Sequence, residues 1–256
     1  MGVDTFMQVV SIRDVQIGKG VPKVIVPLMG KTLEELLLEI KTIKQLNLDI
    51  VEWRADLLKD IEDLTKVKQT LTVLREELYP IPLLFTFRTH REGGNKTIED
   101  SYYETLLVEV MKTKEIDLID VELFSPKVTE IMESAKENDV VIIMSNHDFK
   151  KTPAKEEIIW RLKRMQELDA HIPKIAVMPN NPSDVLTLLD ATHTMQSLYA
   201  DRPIITMSMA STGAISRLAG EVFGSAATFG AGVTSSAPGQ IPANDLKHIL
   251  ELLHTN

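Results

Sequence analysis

Short apolar runs and longer amphipathic stretches take turns along this chain from Lys23 to Leu253, and that rhythm limits the fold more than any other feature. Lys23–Leu28, 49–53, 82–87, 118–121, 140–145, 173–179, 203–207 and Ala227–Phe229 read as strands, rich in β-branched and aliphatic residues. The stretches between them read as helices. Thr32-Leu33-Glu34-Glu35 is a capping box that opens one to about Leu46. Others are expected from about Asp60 to Leu78, from Thr97 as cap to Met111, and over 127–137. Thr152-Pro153 and Asn181-Pro182 each place proline just after a cap, opening helices to about Leu168 and Leu198. A short helix over 214–220 and a last one over 242–253 complete the series.

Strands that alternate with helices pair in parallel, because each helix carries the chain back across the sheet. Eight such units in 256 residues predict an α/β fold, a (β/α)8 TIM barrel, with an open doubly wound sheet as the rival. Residues 7–18 alternate weakly and read as a short N-terminal strand or hairpin ahead of it. No linker or low-complexity run interrupts the chain, so residues 1–256 are expected to form one barrel domain.

Composition narrows the function. A net charge of −9 argues against nucleic acid and anionic membranes as partners, and no apolar run reaches the length of a membrane span. Cysteine is absent and the histidines lack metal-ligand spacing, which leaves no thiolate chemistry and no structural zinc site. The first residues carry no leader pattern, so a cytoplasmic protein is expected.

Several strands place polar residues at every second position. Glu52, Arg54 and Asp56 alternate with Val51, Trp53 and Ala55; Thr86 and Arg88 with Phe85 and Phe87; Asp120 and Glu122 with Ile119 and Val121. Ser145 and His147 share the face of Ile143, and Lys174 shares the face of Ala176. If the apolar face meets the helices, this polar set points into the barrel, mostly at the strand ends where barrel active sites sit. It can be an ion-pair network that only fixes the interior, or a cavity for a small polar substrate. Buried ion pairs contribute little net stability, which favours the cavity. A lysine held partly dehydrated there is an amine nucleophile, and His147, one strand away, is a candidate acid and base.

These residues together resemble the type I 3-dehydroquinase family. The resemblance spans about Val24 to Gln240 and is carried by Glu52-Trp53-Arg54-Ala55-Asp56, Phe87-Arg88-Thr89-His90-Arg91-Glu92-Gly93-Gly94 and Asp120-Val121-Glu122. Ser145-Asn146-His147-Asp148-Phe149, Pro173-Lys174-Ile175-Ala176, Met207-Ser208-Met209, Ser216-Arg217 and Ser235-Ser236-Ala237-Pro238-Gly239-Gln240 complete it. It implies a hydro-lyase that converts 3-dehydroquinate to 3-dehydroshikimate and water by syn elimination through an imine on Lys174. His147 would move the protons, with Glu92 orienting it, and Arg217 would hold the substrate carboxylate. Glu52, Arg54 and Arg88 would bind hydroxyls and order the cavity, and Met207 and Met209 would form an apolar wall. Ser236, Ala237 and Gln240 would lie on a closing loop. The resemblance also implies no cofactor, no metal and a homodimer. A Schiff-base aldolase and a catalytically silent metabolite binder are the rival readings.

Overall fold

The computed structural model describes residues 8–254; the first residues, on which the expectation about a leader rests, the first residue of the expected N-terminal strand and the last two residues lie outside the described residues. The first element is an antiparallel hairpin of β1 (Val10–Ile12) and β2 (Val15–Ile17), with Ile12 opposite Val15. Eight parallel strands follow: β3 (Lys23–Leu28), β4 (Ile50–Arg54), β5 (Leu83–Thr86), β6 (Leu118–Glu122), β7 (Val141–Asp148), β8 (Ile172–Val177), β9 (Ile205–Ser208) and β10 (Ala227–Phe229). They neighbour one another in chain order, and β10 pairs back onto β3. The remaining seam lies between β9 and β10. Ala226 N–H donates to Ile204 O at 2.8 Å, and Ser225 Oγ accepts from Thr206 N–H at 3.0 Å. The sheet is therefore a closed barrel and not an open one.

The strand periodicity sorts side chains as expected. Val51, Trp53, Phe85, Ile119, Val121, Ile142, Met144, Ile175 and Val177 pack outward in the layer beneath the helices. Ile25, Ile50, Leu84, Leu118, Ile143, Ile172 and Ile205 pack against one another inside the barrel, and Ile12 and Ile17 of the hairpin join them. The hairpin thus plugs the end of the barrel where the strands begin.

The helices are α1 (Leu33–Ile43), α2 (Leu64–Leu78), α3 (Asp100–Met111), α4 (Val128–Asn138), α5 (Lys155–Glu167), α6 (Pro182–Leu198), the short α7 (Ile215–Leu218) and α8 (Gly220–Phe223), and α9 (Ala243–Leu253). Thr32 caps α1, accepting from Glu35 N–H, while the Glu35 carboxylate reaches back to Lys31 N–H at 2.7 Å. Asn181 caps α6 by accepting from Ser183 and Asp184 N–H.

Several boundaries differ from expectation. Asp63 accepts from Thr65 and Lys66 N–H, so α2 starts at Leu64 and not near Asp60. Lys96 is held in a parallel bridge to Thr89, and α3 starts at Asp100 after Glu99, with Thr97 outside it. Thr152 caps nothing: its hydroxyl donates to Met178 O at 3.0 Å and ties the loop to the end of β8, and α5 begins at Lys155. The single helix expected over 214–220 is two single turns, α7 and α8.

Candidate active site

The inward face changes character along each strand. One pleat beyond the aliphatic layer stand Glu52, Thr86, Asp120, Ser145, Lys174, Met207 and Phe229; beyond them come Arg54, Arg88, Glu122, His147 and Met209. Most of them line a cavity at the C-terminal end of the strands, where barrel enzymes place their chemistry, and Asp120, Ser145 and Glu122 bond to its lining residues Lys174 and Arg88.

Lys174 is 3 % exposed. Its Nζ sits 3.3 Å from Asp120 Oδ2 and 4.3 Å from the centre of the Phe229 ring. Burial holds its pKa below the usual lysine value, and the Arg88 charge adds to that; Asp120 and Glu52 oppose it. Lys174 pairs in register with Ser145, so His147 is one strand over and two residues further along. Strand geometry puts the two Cα atoms roughly 8 Å apart, close enough for both side chains to reach one small molecule. Both line the cavity.

His147 is fixed from behind. Glu92 Oε2 lies 2.9 Å from His147 Nδ1 and accepts the His147 backbone N–H at 3.0 Å. Glu92 Oε1 accepts from Asn146 Nδ2 at 2.9 Å. This leaves Nε2 as the ring nitrogen free to work. Burial, with the charges of Arg88, Lys174 and Arg54, holds the imidazole well below its ordinary pKa. That direction favours the unprotonated base. Burial, followed by the neighbouring Glu122 charge, pushes Glu92 up to about 8 against the pull of Arg88.

Arg88 is the hub of the charged layer. It meets Asp120 at 2.8 Å and Glu122 at 3.0 Å, lies 3.5 Å from Glu92, and donates to Ser145 Oγ at 3.0 Å. Ser145 Oγ in turn donates to Asp120 at 2.7 Å. Arg54 is clamped by both oxygens of Asp56, and Thr86 Oγ1 donates to Glu52 at 2.8 Å. These cations are already matched by carboxylates.

Arg217 is different. It is 1 % exposed and lines the cavity, yet among the described residues its Nε and Nη2 have no hydrogen-bond partner, and Nη1 meets only Met207 Sδ at 3.5 Å and Phe229 O at 3.4 Å. Burial alone lowers its pKa to about 10. An unmatched buried guanidinium is costly unless an anion comes to it.

Met207 and Met209 line the cavity as an apolar wall. Ser236, Ala237 and Gln240 line it from the loop after β10, where Ser236 N–H donates to Gln240 Oε1 and Gln240 Nε2 donates to Ser236 Oγ. Every candidate named from the sequence except Glu92 borders this cavity, and Glu92 touches it through His147. The sequence reading left several contributors out of its candidate set. Asp120 and Ser145 were visible in the alternation; Phe229, on a three-residue strand, and Phe149, stacked on the His147 ring at 6.4 Å, gave no such signal.

A closed (β/α)8 barrel with a buried amine, an imidazole and a guanidinium that no carboxylate matches, gathered at its C-terminal mouth, defines a class: a barrel enzyme with its site at the strand ends. The comparisons narrow it. The family model "Type I 3-dehydroquinase" matches residues 24–256. The chain is 57% identical to the 3-dehydroquinate dehydratase of Bacillus subtilis, over 98% of this chain and 99% of that one. Among solved structures, the type I 3-dehydroquinate dehydratase of Clostridium difficile with covalently modified comenic acid is 51% identical, with a TM-score of 0.94 over 97% of this chain and 98% of that one. The enzyme of Geobacillus kaustophilus is 37% identical, with a TM-score of 0.93 over 96% of each chain. This chain belongs to the type I 3-dehydroquinase family.

Proposed function

We propose that this chain dehydrates 3-dehydroquinate to 3-dehydroshikimate through an imine on Lys174. The observation that carries the reading is the convergence of three groups on one cavity: the buried Lys174 amine, the His147 imidazole backed by Glu92, and the Arg217 guanidinium whose Nε and Nη2 have no partner among the described residues.

The chemistry follows from their states. A lysine with a lowered pKa supplies more free amine at a given pH, and the amine attacks the C3 ketone. The carbinolamine loses water and becomes a protonated imine. That cation withdraws electrons, so His147 Nε2 can remove the C2 proton and leave an enamine. The enamine electrons expel the C1 hydroxyl, which takes the proton now on His147 Nε2 and leaves as water. The same base serving both steps places them on one face of the ring, a syn elimination. Water then hydrolyses the product imine and returns the lysine. Phe229 lies against the amine and stabilises its cationic forms through the ring face. Arg217 binds the ring carboxylate, and the Met207–Met209 wall accepts the carbocycle. Glu52, Arg54 and Arg88 meet hydroxyls and hold the wall rigid. Ser236, Ala237 and Gln240 close over the mouth. The lysine supplies the electron sink, so the reading needs no organic cofactor or metal. One barrel domain spanning the chain does this work. The acidic charge supports a cytoplasmic protein without nucleic-acid or membrane partners, and the family resemblance supports a homodimer.

Borohydride reduction in the presence of 3-dehydroquinate tests the reading. The expected result is a covalent ligand adduct on Lys174, absent in Lys174→Ala, with enone absorbance appearing when borohydride is omitted. No adduct overturns the imine; an adduct without 3-dehydroshikimate release favours a carbon–carbon cleaving enzyme.

A further inference from the structure

A second cavity lies behind the histidine. Arg91, Glu92, Glu122, Phe124, Asn146 and His147 line it. His147 alone belongs to the linings of both cavities; Glu92 borders the rear one and not the front one. The rear cavity reaches the surface at Arg91 and Phe124. Phe124 is 53 % exposed, and Arg91 is an exposed residue paired with Asp100 at 2.6 Å. A bonded chain runs inward from this rim. The Arg161 guanidinium covers the Phe124 ring at 5.7 Å and donates to Asn146 Oδ1 at 2.7 Å; Asn146 donates to Glu92, and Glu92 meets His147 Nδ1. Gly93 and Phe149 line the front cavity and not the rear one, and they pack closely: a Cβ at position 93 would meet the Phe149 ring at 2.3 Å.

We propose that the Glu92–His147 pair exchanges protons with bulk water through this rear cavity, while substrate and the loop after β10 occupy the front. When Nε2 takes a proton from a substrate carbon, the Nδ1 proton moves to Glu92, and Glu92 releases one proton to water at the rear. When Nε2 donates, each transfer runs in reverse. Charge and proton count are conserved at every step, and no oxidant or further reactant is needed. Arg88, 3.5 Å from Glu92, Glu122 and Arg91 on the rear wall, and Arg161 on Asn146 face the relay, with the charges of Lys174 and Arg54 acting on His147 and that of Asp120 on Glu92. Glu92 is thus the inner end of a proton path as well as a support for the ring. Phe124 and Asn146 are positioning residues at its outer and inner ends.

The inference rests on the assignment of His147 as the proton-moving group, and chemical rescue separates the two. Glu92→Ala opens space continuous with the rear cavity. Its turnover should fall by about tenfold or more, and added formate should restore most of the loss. The formate dependence should be independent of 3-dehydroquinate concentration, since formate enters from behind. In Glu92→Ala/Phe124→Trp the indole covers the rim and the rescue should disappear. Phe124→Trp alone should raise the solvent deuterium isotope effect on kcat, while Phe124→Ala should leave it unchanged, a pattern that loss of packing would not give. Unimpaired turnover in Glu92→Ala overturns the role of Glu92 itself, and with it the relay. Impaired turnover that formate does not rescue, rescue competitive with substrate, or an unchanged isotope effect in Phe124→Trp overturns the rear path and leaves the imine reading standing.

Discussion

The floor and the upper part of the barrel are built from the same strands and the same face, yet they are different materials. Ile50, Leu84, Leu118, Ile143, Ile172 and Ile205 fill the floor, sealed by Ile12 and Ile17 of the hairpin. Two residues further along each strand stand Glu52, Thr86, Asp120, Ser145, Lys174 and Met207. Each buried methylene of the floor contributes about 0.8 kcal/mol and needs no partner. In the upper layer the Coulomb gain of Arg88 with Asp120 and Glu122 must first offset the desolvation of all three. A barrel concerned only with stability would continue the floor upward. The difference teaches that the floor holds the fold and the upper layer is retained for chemistry, at a cost in stability that the floor can bear.

The sharpest break of that division is Lys174→Ala. Turnover should fall by roughly 10³-fold or more, about 4 kcal/mol on the barrier, because the covalent route is gone. The thermal midpoint should barely move, since Asp120 keeps Arg88 at 2.8 Å and Ser145 Oγ at 2.7 Å. A large loss of stability in this variant would mean that the amine is structural. The converse substitution is Ile143→Ala in the fully buried floor. It should cost about 2–5 kcal/mol in urea unfolding, with kcat and KM near normal. A fall in kcat with intact stability would show that floor packing reaches the chemistry.

Asp120→Asn probes the boundary between the layers. The Asp120 charge raises the Lys174 pKa toward its ordinary value, so removing it lowers that pKa further. More free amine is then present at low pH. The acid limb of the borohydride-trapping rate should move to lower pH by about one unit. A shift to higher pH would assign another residue as the partner of the amine.

How much of this was legible in the sequence follows from the same two layers. Period-two alternation reports which side of a strand a residue occupies, so the inward set from Glu52 to Lys174 could be read directly, and the family resemblance supplied the roles. The count of βα units gave the barrel. Closure was expected from that count, but the contacts that make it were hidden, because the β9–β10 seam rests on the Ile204–Ser225 bridge and a serine hydroxyl, which have no local signature. Thr152 was misread as a cap because a long-range bond, to Met178 O, takes its hydroxyl. The rear cavity was invisible for a related reason: Arg161 of α5 and Phe124 after β6 meet only in space.

The mildest test concerns the rim. Gln240→Ala removes the amide that closes the 236–240 turn, where Gln240 accepts from Ser236 N–H at 2.8 Å and donates to its Oγ at 2.9 Å. The turn has other support. Ala210 N–H donates to Pro238 O at 3.1 Å, and Gly239, at φ +77°, sits where a Cβ would meet Ala210 O at 2.1 Å. The loop should therefore keep its course but lose order at the side that faces the cavity. KM for 3-dehydroquinate should rise by about threefold to tenfold, equivalent to about 0.7–1.4 kcal/mol, the scale of one neutral hydrogen bond. Trapping of the adduct at saturating substrate should keep its rate, because neither the amine nor the imidazole bonds to this loop. If kcat falls as much as kcat/KM, the rim belongs with the reacting layer, and the line between holding the substrate and transforming it must be drawn higher in the barrel.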